Sequence, residues 1–155
     1  MSFQIIALDP APFAPLFGLS DAELAGRHIV RRVADTMPGF PCRVSLADAA
    51  IGETLLLLNH EHLPVASPYR AAHAIYVREG AAQAHPEPGE VPEVIARRLI
   101  SARGYDEAGL MTGADLATGA EVAVLIERLF ADPATSYIHL HNARPGCFAA
   151  RVERA

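Results

Sequence analysis

The sequence predicts an α+β fold, with one largely antiparallel sheet, one main helix over about 119–131, a short N-terminal helix and a C-terminal β-hairpin. Three observations predict it. Residues 54–58 form an unbroken apolar run, the pattern of a strand buried on both faces. Val122, Leu125, Ile126, Leu129 and Phe130 fall on one stripe at helical spacing. Arg144-Pro145-Gly146-Cys147 places Pro then Gly at the centre of a type II turn between two β-like segments.

Taken in order, residues 3–8 read as a first strand. Residues 9–15 contain Pro10, Pro12 and Pro15 and must be irregular. Ser20 followed by Glu23 is a capping-box pattern, so a short helix is expected over 21–25, with Gly26 as its stop. Residues 28–34 read as extended. Pro38, Gly39 and Pro41 enforce a turn, 42–46 read as a strand and 47–52 as a loop. The run at 54–58 flows into Asn59-His60-Glu61-His62, and 72–78 alternate as a further strand. Residues 80–92, with three prolines and two glycines, are expected to be irregular. Pro92 suits the start of a short helix. A strand over 98–105 and a short one at 110–111 follow. Thr118 with Glu121 suggests a capping box for the main helix, and Asp132-Pro133 ends it. Residues 136–142 and 147–153 are the hairpin strands.

The length of 155 residues fits one domain over 1–155. A hydrophobic fraction of 51% is enough for a proper core and rules out a disordered chain. The net charge of −5 and the lack of any basic tract argue against a nucleic-acid partner. All thirteen basic residues are Arg, so Schiff-base and P-loop lysine chemistry is excluded. No run approaches eighteen apolar residues, so no membrane partner is expected. The N-terminal segment lacks a basic region and a long apolar stretch, which leads to the expectation of a cytoplasmic protein. Cys42 and Cys147 are then expected to be thiols.

Histidine carries most of the chemical information. His60-Glu61-His62 and His139-Leu140-His141 are two His-x-His phrases, with His73 between them. In a strand, residues two apart share a face. His139 and His141 therefore share one, with Tyr137, and an even-length hairpin loop would add Phe148, Ala150 and Val152. Imidazole is a common ligand for zinc and similar divalent metals. His60, His62, His73, His139 and His141 are the metal candidates. Arg43, Tyr69, Arg70, Asn142 and Arg144 are the candidates for holding an anion, because a guanidinium fork matches carboxylate or phosphate. Cys147 should point away from the histidines. The sequence holds no GxSxG elbow, Walker loop, GxGxxG fingerprint or HExxH helix.

Several phrases, Pro41-Cys42-Arg43-Val44-Ser45-Leu46, Ser67-Pro68-Tyr69-Arg70 and His141-Asn142-Ala143-Arg144-Pro145-Gly146-Cys147, together resemble an uncharacterised bacterial family known only as a domain of unknown function. The resemblance covers essentially the whole chain and implies no activity, substrate or catalytic residue. The residues themselves leave three readings open. One is a His/Arg-lined pocket for a small anion or divalent metal. Another is a metal-dependent enzyme such as a hydrolase. The third is a non-catalytic protein acting as a homo-oligomer.

Overall fold

The computed structural model describes residues 2–155. Its strands form two five-stranded sheets and not the single sheet expected. The first has the order β1 (Phe3–Ile6), β10 (Phe148–Arg154), β9 (Tyr137–Asn142), β7 (Ile100–Tyr105) and β8 (Met111–Ala117). The second runs β2 (Val30–Val33), β5 (Thr54–Leu63), β6 (Ala71–Arg78), β3 (Pro41–Cys42) and β4 (Ala47–Asp48). Periodicity reports which face of a strand is buried but not which strand it joins. The β5–β6 hairpin and the β9–β10 hairpin each gather their own neighbours. Strand β1 pairs with β10, joining the chain ends in one sheet. All pairings are antiparallel except β3 with β6.

Among the described residues three α-helices accompany the sheets, with a 3₁₀ turn at Ala14–Gly18. Helix α1 (Asp21–Ala25) has the expected capping box between Ser20 and Glu23. Helix α2 (Glu93–Ala96) follows Pro92. Helix α3 (Glu121–Phe130) is the main one, but Thr118 does not cap it. Gly119 takes φ +55, in the left-handed region, which moves Thr118 off the cap position. Ala120 stands there with no side-chain bond. Three other elements differ from expectation. Residues 47–48, read as part of a loop, pair with Pro41–Cys42 as β4. Residues 42–46 leave the strand after Cys42, and Leu46 has φ 48. Strand β8 runs on to Ala117 through Gly113 and Asp115, poor strand formers. It is held by pairing with β7 and not by propensity.

The first sheet has two different faces. Ile100, Ala102, Ile138, Leu140, Ala150 and Val152 pack under the stripe Val122, Leu125, Ile126 and Phe130 of α3. The opposite face carries His139 and His141. A register shift in β10 divides its residues between the two. Phe148 pairs with His141, but Ala150 pairs with Leu140 and Val152 with Ile138. Phe148 therefore lies with the histidines as expected, whereas Ala150 and Val152 turn to the helix. In the second sheet, Leu56, Leu58, Ile75 and Val77 form a core closed by Phe13 and Leu24 from the N-terminal segment. Among the described residues no helix is long and apolar enough to cross a membrane.

Phe130 is 1% exposed and ends the helical stripe. We expect Phe130→Ala to lower stability by about 3–5 kcal/mol, because it leaves a cavity between α3 and the sheet. Urea unfolding of the two proteins measures this.

Candidate metal centre

The histidine phrases lie at the ends of strands that belong to different sheets. His60 and His62 are on β5, and His60 pairs directly with His73 on β6. The register slips by one residue between His60 and Leu63, so that His62 and Leu63 are both buried. His139 and His141 stand on β9, paired with Arg103 and Ser101 of β7. Residues opposite one another in an antiparallel pair share a face. Ser101, Arg103 and Tyr105 are thus on the histidine side.

The two sheets bring these rings together. His62 stacks on His73 at 4.8 Å between ring centres and meets His139 at 4.9 Å and His141 at 5.0 Å. Phe148 lies parallel to His62 at 4.9 Å and packs its edge against His139 and His141. His60 is further out, against Phe13 and Phe148 at 6.2 and 6.0 Å. A ring nitrogen from each of His62, His73 and His141 lies within 4.8 Å of the other two. His60 and His139 are outside this trio.

The hydrogen bonds show which nitrogens remain available. His141 Nδ1–H donates to the Gly146 carbonyl at 3.2 Å, so its lone pair is on Nε2. That Nε2 is buried with no partner. The His62 and His139 Nδ1 atoms share one proton across 2.8 Å. When His62 donates it, His62 Nε2 carries a lone pair, and Nε2 is likewise buried without a partner. His73 Nδ1 is the third such atom. Buried polar atoms are nearly always paired, and three unpaired nitrogens in one trio call for an explanation.

Burial keeps these rings neutral. It lowers His62 to about 4, His139 to about 2 and His141 to about 3, with the neighbouring imidazoles adding to the shift. His60 and His73 are also lowered, chiefly by burial. The Arg103 guanidinium pushes in the same direction on His62, His73 and His141. Neutral imidazole is the form that binds a metal. Zinc–nitrogen bonds of about 2.0–2.1 Å in a tetrahedron put ligand nitrogens about 3.4 Å apart. The trio's nitrogens, within 4.8 Å of one another, stand wider than that spacing in this structure.

The anion candidates divide. Arg43, Asn142 and Arg144 line one cleft, with His73 and Cys147. Tyr69 and Arg70 do not. Arg70 gives its fork to Glu61 at the surface, and Tyr69 packs against Tyr105. Cys147 is bonded to Arg43 and Asn142. Sequence reasoning missed Arg103, Arg97, Arg98 and Asp48. Asp48 reads as a solvated loop carboxylate, yet its side chain is 1% exposed and bound by Arg97 and Arg98. The two-residue spacing of Ser101, Arg103 and Tyr105 was a usable signal for Arg103, once β7 is known to pair with β9.

The neutral histidines predict a pH dependence. Their folded pKa values lie below the 6.5 of the free side chain, so below pH 6.5 the unfolded chain binds more protons than the folded one. Stability is therefore full above 6.5 and falls as the pH drops towards about 4, by about 1.4 kcal/mol per pH unit for each ring that stays neutral. Urea midpoints of the metal-free protein should be level from pH 8 to 7 and fall steeply at 6 and 5. His139→Leu should flatten that fall, and an equally steep profile in the variant would show that His139 is not a source of it.

No curated protein and no solved structure matches the chain. A family model described as a protein of unknown function, DUF1203, matches residues 39–154. That span contains both His-x-His phrases, His73 and the arginines of the cleft, and the chain belongs to the DUF1203 family.

Proposed function

We propose that this protein binds a divalent transition metal through His62, His73 and His141 and uses the open coordination position for chemistry on water or substrate. The observation that carries the reading is the set of buried, unpartnered nitrogens, His62 Nε2, His73 Nδ1 and His141 Nε2, within the trio. Three imidazoles suit zinc, copper, iron or nickel better than calcium or magnesium. Three protein ligands leave a fourth position free, the pattern of catalytic sites and not of structural ones.

The surroundings fit that role. Metal-bound histidines usually donate their other N–H to a carbonyl or other acceptor, which fixes the ring. The Gly146 carbonyl does this for His141, and His139 Nδ1 for His62. His139 is then a positioning residue. The Arg103 guanidinium opposes a bare cation but favours a metal carrying an anionic fourth ligand such as hydroxide. A metal held this way lowers the pKa of its water, which is the chemistry of a metal-dependent hydrolase.

Elemental analysis of protein purified without a histidine tag tests the reading. About one equivalent of a first-row metal per chain is expected after purification in metal-supplemented medium. His141→Ala should reduce it to below about a tenth, while His60→Ala, outside the trio, should retain it. A metal content equal in the wild type and His141→Ala, or close to zero in both, rejects this assignment.

A further inference from the structure

Four arginines line one cleft of about 780 Å³, and no carboxylate does. These are Arg43, Arg97, Arg98 and Arg144. Arg97 and Arg98 share the buried Asp48. Arg97 also pairs with Glu93 at its surface end, so four guanidiniums against two carboxylates leave an excess of two positive charges, in a chain whose net charge is −5.

Arg43 is the anomaly. It is 3% exposed. Its Nε–H donates to the Phe148 carbonyl at 2.8 Å, Nη1 to the Pro41 carbonyl and Nη2 to Cys147 Sγ at 3.0 Å. All three acceptors lack a full negative charge when the thiol is protonated. A guanidinium stays charged and has five N–H groups, so two are left over. Burying a charge without an opposite one is costly. Burial pulls the Arg43 pKa down, and repulsion from Arg98 adds to it. Arg144 is exposed on the β9–β10 loop with no acidic partner among the described residues. Its loop is nonetheless fixed: Ala143 N–H donates to the Leu99 carbonyl at 2.9 Å, and Gly146 N–H to the Asn142 carbonyl at 2.8 Å. Between the arginines the wall is apolar, with Leu57, Tyr76 and Leu99.

The geometry points to this cleft as the binding site of a small organic oxyanion, a phosphate or carboxylate on an apolar body, its charge facing Arg43 and Arg144 and its body against Leu57 and Tyr76. Guanidinium forks match such oxyanions in shape and charge. The volume suits a small metabolite, and an apolar lining with a few convergent polar groups is the usual form of such a site. The cleft adjoins the metal trio through His73, which belongs to both. A ligand seated in it lies next to the proposed metal, yet the arginines hold it whether or not a metal is bound.

Calorimetric titration of the full chain with phenyl phosphate and with inorganic phosphate tests the site. Phenyl phosphate is expected to bind with one-to-one saturation, and inorganic phosphate about tenfold more weakly, for want of apolar area to bury. Arg144→Ala, an exposed position that leaves the fold intact, should weaken phenyl phosphate about tenfold or more. Arg43→Lys, with its fold checked by circular dichroism, should weaken it as well, because Lys lacks the fork. His141→Ala should keep the binding, which separates this cleft from the metal reading. Absence of saturable binding by either probe overturns the proposal. So does unchanged binding in Arg144→Ala, and so does loss in His141→Ala with retention in Arg144→Ala, which would place the anion on the metal.

Discussion

Two sheets meet here over a layer of imidazoles that burial keeps uncharged, and the candidate site is built on that contact. Phe148 sits at its centre, flat on His62 and edge-on to His139 and His141. Protonated histidines packed this closely would repel one another, and burial holds these rings in the neutral form. The Arg43 side chain straps the same junction, reaching from the end of β3 to the Phe148 carbonyl on β10. Leu8 N–H adds a further tie to the Arg43 carbonyl.

Two register shifts decide what the junction contains. The one in β10 keeps Phe148 with the histidines while Ala150 and Val152 turn under α3. The other, between His60 and Leu63, leaves His62 and Leu63 both buried. Bulges re-aim side chains beside functional sites, and these do so on both sheets. The second shift puts Leu63 opposite Ala71, so that Leu63 is buried beside His62. Without the first, Phe148 and the α3 core could not both be filled from one strand.

Charge is distributed with the same logic. The chain is acidic overall, but its cleft is basic and its metal candidates are neutral. Asp48 is the one buried carboxylate among the arginines of this region, and it is already taken by Arg97 and Arg98. Arg43 and Arg144 are left facing open volume. A lone-pair donor set beside an excess of guanidinium is suited to a metal together with an anion, and neither component by itself accounts for both features.

Much of this was legible in the sequence, and for identifiable reasons. The stripe from Val122 to Phe130, the Ser20–Glu23 box and the turn at Pro145-Gly146 are local patterns, and each of α1, α3 and the last hairpin formed where those patterns lie. The chemical interest of His60, His62, His73, His139 and His141 and of Arg43, Asn142 and Arg144 was likewise visible in residue type and spacing. The partition into two sheets was not, because strand partners are chosen by long-range packing that a period of two does not encode. Nor was the sorting of five histidines into a trio and two supporting rings, which depends on how the ends of β5 and β6 meet β9 across the two sheets. The burial of Asp48 and the unpaired charge of Arg43 belong to the same class: a residue's letter gives its charge, but only the folded chain decides what stands opposite it.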